Sequence, residues 1–303
     1  MLMFSIALAI ATGVAMAGQS PTNAALGRTV GTFQASFTNF AIGWVICLVL
    51  VLTVGTGDLA LVSTVPAWQL IGGLYGALII VSLVIATPKL GVVLSLTMTM
   101  LGQLIGGMVV DCFGLVGAAQ IAISPLRLIG CAVVVIGVFC VHAANKDGLA
   151  GKEGDKAHLG YMAFPLIAAT IASLQPATNA TLGATIGSIE ATFVNFTGGL
   201  IILFLLTMFT GKGKMHSLKG TKPWQFTGGF YGVFGVVASV IGTPALGVSL
   251  WNVGTMLGQL VGGMAVDATG LFGVTRIRIS GLRIAGAAIV LAGIVLVTVA
   301  KTM

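Results

Sequence analysis

The chain has 303 residues, of which 57% are hydrophobic and only 7% are charged, and its mean hydropathy is +1.11. A soluble domain carries about a quarter charged residues because its surface faces water, so this composition excludes an ordinary soluble protein. The formal net charge is +7, yet the basic residues lie in short loops between apolar segments and form no aromatic–basic patch of the kind that binds nucleic acid. The composition predicts an integral membrane protein that contacts lipid and has no nucleic-acid partner.

Ten apolar spans follow one another along the chain, each close to the roughly 20 residues that a helix needs to cross a bilayer. The first five lie near residues 2–27, 30–53, 67–86, 90–110 and 126–144. The second five lie near residues 160–182, 188–209, 224–243, 246–266 and 282–300. The first span looks like a secretion signal, but it lacks a basic leading segment and its counterpart in the second half lies in mid-chain, so we expect a retained helix.

The second half of the chain repeats the first half after a shift of 156 residues and without a gap. Roughly two in five positions are identical over the matched region, which indicates a repeat of whole structural units. The longest match is the segment Met100-Leu101-Gly102-Gln103-Leu104, which returns as Met256-Leu257-Gly258-Gln259-Leu260. We therefore predict a first five-helix repeat over residues 1–144, a charged linker over residues 145–157 and a second five-helix repeat over residues 158–303.

An odd number of spans in each repeat places the second repeat upside down in the membrane relative to the first, as in inverted-repeat transporters. Assigning alternate loops to opposite sides gives one side 12 basic residues: Arg28, Lys89, Lys146, Lys152, Lys156, Lys212, Lys214, Lys219, Lys222, Arg276, Arg278 and Arg283. The other side receives two, Arg127 and Lys301. Because cytoplasmic loops carry the excess of basic residues, we predict that the linker is cytoplasmic and that both termini lie on the opposite side.

Several short motifs occur once in each repeat. They are Gln19-Ser20-Pro21-Thr22-Asn23 with Gln175-Pro176-Ala177-Thr178-Asn179, the Thr87-Pro88 turn with its copy Thr243-Pro244, and Asp111 with Asp267. This pattern resembles the YdcZ-like family of bacterial inner-membrane exporters, within the drug/metabolite transporter superfamily, in its fused two-half form. The resemblance implies an all-α integral membrane protein with ten transmembrane helices, located in a bacterial inner membrane, that exports a small molecule. The periplasmic termini predicted from the basic residues are opposite to the usual topology of that superfamily.

Six amide side chains lie inside the predicted spans at equivalent positions of the two repeats: Gln19, Asn23, Gln103, Gln175, Asn179 and Gln259. Polar groups inside a bilayer are expensive, so each one needs a partner or a function. On one hypothesis these amides line a single central cavity that binds substrate, at the midplane where such repeats meet. On the other, they form interhelical hydrogen bonds worth roughly 0.6 kcal/mol each, which is the interpretation that we favour for Asn39 and Asn195.

The two repeats differ at positions that bear on function. Glu190 stands where the first repeat has Gln34, and a carboxylate inside a membrane is a candidate carrier of a coupling proton. An acid in the first turn of a helix also stabilises the positive end of the helix dipole, so this hypothesis has a structural alternative. Trp251-Asn252 replaces Ser95-Leu96, which makes this pair either a further candidate for substrate contact or neutral drift.

One acid and one arginine flank the loop between the fourth and fifth spans of each repeat. These are Asp111 with Arg127 and Asp267 with Arg283. We favour an ion pair that clasps the two helix ends over a gate.

Some chemical signatures are absent from the sequence. It contains no glycine-rich phosphate loop that ends in Lys-Ser or Lys-Thr, no nucleophile–base constellation, and no histidine or cysteine spacing of a metal site. We therefore expect no enzyme activity, no cofactor and no metal. The sequence predicts a secondary transporter, an exporter of small polar or amphipathic metabolites or drugs by alternating access; the alternative is a non-transporting membrane assembly partner or sensor. Whether copies of the chain form a homo-oligomer stays open.

Overall fold

The computed structural model describes residues 2–90, 92–143, 156–209, 220–273, 276 and 279–302, and this part of the chain is helical without a strand. The first half contains the helices α1 (Leu2–Val30), α2 (Thr32–Val54), α3 (Gly72–Leu90), α4 (Val92–Phe113) and α5 (Pro125–Ala143). The second half contains α6 (Lys156–Ala172), α7 (Leu174–Ile186), α8 (Ser188–Phe209), α9 (Gly228–Leu246), α10 (Val248–Thr269) and α11 (Gly281–Thr302). Helices occupy every predicted span, and the all-α prediction is confirmed.

Five segments of the described chain are long and apolar enough to cross a membrane. They are Leu2–Val30, Phe33–Val54, Ser188–Phe209, Pro223–Leu246 and Gly281–Ala300. Three shorter apolar helical segments accompany them: Ala67–Leu83, Met98–Phe113 and Pro125–Cys140. Large apolar side chains such as Phe209, Met208 and Leu52 are exposed on these helices, as expected where the solvent is lipid. The protein is therefore a membrane protein.

The span predicted over residues 160–182 is broken into two helices at Ser173. Pro176, in the first turn of α7, lacks the N–H that would continue the ladder to the carbonyl of Ala172. The Ser173 hydroxyl contacts the carbonyl oxygens of Ala169 and Gln103, each at 3.0 Å. The break therefore ties α6 to α4, whereas the equivalent helix α1 runs unbroken from Leu2 to Val30. Most of the charged linker predicted at residues 145–157 lies outside the described residues.

Equivalent helices of the two repeats pack against each other and run antiparallel. Along α2 and α8, Phe37 contacts Phe204, Phe40 contacts Phe196 and Trp44 contacts Phe193, with ring centroids 6.0, 5.2 and 5.5 Å apart. The residue number rises on one helix as it falls on the other, so the helices point in opposite directions.

The pair α5 and α11 repeats this arrangement through glycines. Gly130 lies against Gly293 and Gly137 against Gly286, close enough that a Cβ on Gly130 or Gly137 would be 3.1 or 2.7 Å from the facing carbonyl oxygen. Small residues let helix backbones approach this closely in a membrane. The two repeats are thus joined by two antiparallel seams, each between equivalent helices.

Candidate functional site

Three amides of the first repeat form a cluster against the start of α9. The Nδ2 of Asn39 on α2 donates a hydrogen bond to Oδ1 of Asn23 on α1, at 2.6 Å. The Nε2 of Gln19, one turn before Asn23, donates to the backbone carbonyl of Gly228 at 3.2 Å. Because Gly228 is the first residue of α9, this cluster attaches the first repeat to the third helix of the second repeat.

The second repeat forms the same cluster against the start of α3. The Nε2 of Gln175 donates to the carbonyl of Gly72 at 2.9 Å and contacts Oδ1 of Asn195 at 3.2 Å. Asn179 lies one turn further along α7 and is only 1% exposed. A glutamine of each repeat therefore hydrogen-bonds to the first residue of the other repeat's third membrane span, which is α9 in the second repeat and α3 in the first.

Glycine is required where the amides meet the third helices. A Cβ on Gly72 would lie 2.1 Å from Oδ1 of Asn179, and a Cβ on Gly228 would lie 2.2 Å from Oδ1 of Asn23. Any larger residue at either position would displace an amide. The glycine-rich starts of α3 and α9 are therefore part of the candidate site.

Four of the six amides predicted to line one central cavity lie in two clusters, one in each repeat, and a common cavity for all six stays a prediction. Gln19, Asn23 and Asn39 make the first amide cluster, and Gln175, Asn179 and Asn195 make the second. The paired rings of Phe40 and Phe196 lie beside them: a Cβ on Gly76 would be 3.3 Å from Nε2 of Gln175 and 3.7 Å from Phe40, and Gly232 has the matching position between Gln19 and Phe196.

The two mid-helix glutamines do not join the clusters in the described part of the chain. Gln103 on α4 and Gln259 on α10 are half-buried. The backbone carbonyl of Gln103, rather than its side chain, accepts hydrogen bonds, from the Ser173 hydroxyl and from Nδ2 of Asn252 at 2.9 Å. Asn252, a predicted substrate contact, therefore connects α10 to α4.

Trp251 is packed between helices, and its contact with substrate stays a prediction. Its side chain is 3% exposed, and its ring lies against Gly242 of α9, where a Cβ would be 2.3 Å from a ring carbon. The first repeat has Ala86 and Ser95 at these two positions. Compared with the first repeat, the second repeat has a larger residue on α10 and a smaller residue at the facing position of α9.

Two of the clustered asparagines retain unsatisfied polar atoms within the described residues. Both Oδ1 and Nδ2 of Asn179 are buried without a hydrogen-bond partner, and so is Oδ1 of Asn39. Buried polar groups are nearly always hydrogen-bonded, so each exception requires an explanation such as a ligand or an unseen water. Asn39 and Asn195 make the interhelical hydrogen bonds that the sequence predicts for them, with Asn23 and with Gln175 respectively.

Glu190 anchors a loop to the first turn of α8. Its Oε1 accepts a hydrogen bond from the backbone N–H of Gly57 at 2.9 Å, and its side chain is 3% exposed. The neighbouring Asp58 N–H donates to the carbonyl of Ile186 at 3.0 Å. The carboxylate therefore has a structural role at this loop, and the geometry offers no chain of titratable partners for it among the described residues.

Asp111 and Arg127 form a buried ion pair that contacts the start of α10 in the second repeat. Beyond its contact with Arg127, Asp111 accepts the backbone N–H of Val248 at 2.7 Å and that of Ser249 at 2.9 Å. Arg127 also donates to the Ser249 hydroxyl at 2.8 Å. An anion at a helix N-terminus is stabilised by the free N–H groups and by the helix dipole, so the start of α10 holds this carboxylate firmly.

The equivalent pair in the second repeat is more open. Asp267 contacts Arg283 at 2.9 Å, and its side chain is 29% exposed, against 0% for Asp111. No group of three or more His, Cys, Asp or Glu side chains that could hold a metal occurs among the described residues.

Comparison with known proteins agrees with this architecture. A family model described as "Putative inner membrane exporter, YdcZ" matches the chain twice, over residues 4–140 and 160–296. The chain belongs to this family. The double match also shows that the two halves of this YdcZ-family protein are repeats of one unit.

One solved structure, named only "Crystal structure of protein", covers 99% of this chain and 96% of its own length, with a TM-score of 0.72 and 15% sequence identity. At this identity the likeness shows the fold alone. None of the curated proteins compared with the chain matches it. Membership in the YdcZ family makes the protein a membrane transporter of the exporter type in general, with a small molecule as substrate and the inner membrane as location.

Proposed function

We propose that the chain is a secondary transporter that exports small polar or amphipathic metabolites or drugs by alternating access. In this proposal ten membrane spans form two inverted five-helix repeats, with α6 and α7 together serving as one span. The antiparallel seams between equivalent helices support the inversion, because helices at the same position of two parallel repeats would point the same way. Alternating access exploits this kind of symmetry.

The observation that carries the proposal is the unsatisfied Asn179 amide inside a cluster that joins the two repeats. A neutral amide offers one acceptor and two donors, so the two amide clusters suit uncharged or zwitterionic cargo that carries hydroxyl, amide or amine groups. Gln19, Asn23, Gln175 and Asn179 remain the proposed cargo contacts. Gln103 and Gln259 are proposed to line the path of the cargo rather than to hold it, because they are half-buried outside the clusters.

A substitution that keeps the number of side-chain heavy atoms and removes the polar ones tests this site. Asn179→Leu removes the buried polar atoms, so a cargo-binding role predicts unchanged or raised thermal stability, since an unpaired buried amide costs about 1–3 kcal/mol. The stabilisation caused by a bound compound should be lost at the same time. Purified parent and variant would be screened against uncharged and zwitterionic metabolites by thermal shift, and hits would then be tested for flux in liposomes. Thr185→Ala, an exposed change on the same helix, is the matched control.

The screen also decides between the proposal and its alternative. Binding together with flux supports a transporter, and flux that Asn179→Leu abolishes supports the site. Binding without flux would favour a sensor, and neither binding nor flux for any compound would favour a membrane assembly partner. Both of those outcomes would overturn the proposed function.

The proposed orientation places both termini in the periplasm and the linker over residues 145–157 in the cytoplasm. Its support is the distribution of 12 basic residues on one side and two on the other. Fusions of a fluorescent reporter and of a periplasm-dependent phosphatase to the C-terminus decide the orientation. An active phosphatase and a dark fluorescent protein are expected; the reverse pattern would overturn this topology and leave the transport proposal intact.

A further inference from the structure

The two ends of the protein carry the same chemical groups in different states. At one end Asp111 is fully buried, paired with Arg127 and bound to two backbone N–H groups at the start of α10. At the other end Asp267 keeps Arg283 but is 29% exposed. The aspartate and the arginine are identical in the two repeats, so the difference lies in what surrounds them.

Two glycines give a second, independent measure of the same difference. Gly107 on α4 faces the start of α10, where an added Cβ would be 3.1 Å from Nδ2 of Asn252 and from Cα of Ser249. Gly263 occupies the equivalent position on α10, and no described atom lies within 4 Å of an added Cβ there. The first half of α10 therefore approaches α4 closely, whereas no described residue makes an equivalent approach to Gly263.

We infer that Asp111–Arg127 and Asp267–Arg283 are the two gates of the protein and that they close in alternation. The structure has the Asp111 gate closed and the Asp267 gate open. When the Asp267 gate closes, its carboxylate binds the backbone N–H groups of residues 92 and 93 at the start of α4, which are the repeat equivalents of Val248 and Ser249. The inference rests on the proposed transport function, and in the orientation proposed above the closed gate is periplasmic.

The sequence explains why the Asp111 gate is the one that is closed. Arg127 donates to the Ser249 hydroxyl in addition to its contact with Asp111, whereas the residue equivalent to Ser249 in the first repeat is Val93. A valine has no hydrogen-bonding side-chain atom, so the Asp267 gate closes with one hydrogen bond fewer. This difference between the two gates biases the population toward the observed state. The sequence alone had favoured a simple clasp of helix ends because it could not reveal the contact with α10.

Distances between spin labels test the gates without any cargo. In a variant that lacks the four natural cysteines, one label pair at Ala119 and Ile241 spans the Asp111 gate. A second pair at Ala268 and Ile85 spans the opposite gate; all four positions are exposed. Pulsed electron paramagnetic resonance would compare the parent with Asp111→Asn and with Ser249→Val, which copies Val93. Asp267→Asn is the matched control.

We expect Asp111→Asn and Ser249→Val to lengthen the distance at the Asp111 gate by several ångströms and to shorten the distance at the Asp267 gate in the same molecules. Asp267→Asn should leave both distances as in the parent. If Asp111→Asn does not fold, Ser249→Val decides alone, because it removes only one hydrogen bond. Two results would contradict the proposed gates. One is unchanged label distances in a variant that melts like the parent, and the other is a longer distance at both gates in the same variant.

Flux measurements keep this outcome separate from the proposed function. If the label distances alternate but no flux is found, the two gates are supported and the proposed transport function is contradicted. If flux is found but neither variant changes the label distances, transport is supported and these gates are contradicted.

Discussion

The rings of Phe40 and Phe196 pack against each other with their centroids 5.2 Å apart, and the two residues occupy the same position of the two repeats, 156 residues apart. A contact between equivalent residues lies on the axis that relates the repeats. The seam between α2 and α8 therefore lies on this axis.

This position has a consequence for alternating access. If the repeats exchange conformations, each residue acquires the surroundings that its equivalent had before. A residue pair on the axis has the same surroundings in both states, so Phe40 and Phe196 can stay packed while the gates at the two ends exchange. The amide clusters lie directly beside this fixed point, since Gly76 and Gly232 contact both a ring and a glutamine.

The start of α3 requires glycine, and one substitution tests this. In Gly72→Ala the new Cβ would lie 2.1 Å from Oδ1 of Asn179, so we expect a loss of about 1–3 kcal/mol of stability from overpacking. Gly198→Ala is the matched control, because its nearest neighbour would be the Leu70 carbonyl at 3.7 Å, an ordinary contact. Denaturation in detergent micelles measures both. Equal stability of the two variants would contradict the close packing of the second amide cluster.

The pairing of Gly242 with Trp251 predicts a compensating double mutant. Gly242→Ala alone should cost about 1–3 kcal/mol by overpacking against the indole ring, and Trp251→Ser alone should cost about 3 kcal/mol or more through the cavity that it leaves. The double variant copies Ala86 and Ser95 of the first repeat. Its loss should be smaller than the sum of the single losses by about 1 kcal/mol, measured as a double-mutant cycle. Strict additivity would show that the two residues do not share this space.

The fold was largely predictable from the sequence, because hydrophobic length and internal repetition are properties of the chain itself. Helices occupy all the predicted spans, and the family resemblance carried by segments such as Leu101-Gly102-Gln103 is confirmed. The break at Ser173 was not predicted, although Pro176 was visible. A proline in a membrane helix is compatible with either a kink or a break, and α1 contains Pro21 without interruption.

The candidate site was less predictable, because a linear pattern does not give the rotation of each helix. Gln19 and Asn23 share a helix face by spacing alone, and the structure places them together. Their partner Gly228 comes from the other repeat, more than 200 residues away, and no local pattern indicates such a contact. Asp111 and Asp267 differ in burial. Two copies of the same sequence motif do not reveal this difference, because it depends on contacts with the other repeat.

Glu190 is expected to act as a loop anchor, and Glu190→Gln tests that role. The substitution keeps an oxygen that can accept the Gly57 N–H but makes the hydrogen bond neutral, which should cost about 1 kcal/mol. Glu190→Ala should cost more, because the Gly57 N–H then loses its acceptor. Flux of Glu190→Gln with and without an imposed proton gradient should show the same gradient dependence as the parent. Loss of that dependence, with binding retained, would instead make Glu190 the carrier of a coupling proton.

Gly263 provides a test that separates stability from transport. An alanine at this position has no described neighbour within 4 Å in the present state, and replacing glycine by alanine inside a helix stabilises it by up to about 1 kcal/mol. Thermal stability of Gly263→Ala should therefore equal or exceed that of the parent. In the other state Gly263 would acquire the close contacts that Gly107 makes now, so the added methyl group would prevent the Asp267 gate from closing. We expect flux to fall strongly, while the spin-label distances show that the Asp111 gate remains closed.

Gly107→Ala is the reciprocal variant and should weaken the present state, because its Cβ would lie 3.1 Å from Asn252. Full flux in Gly263→Ala would show that α4 and α10 do not exchange contacts during transport.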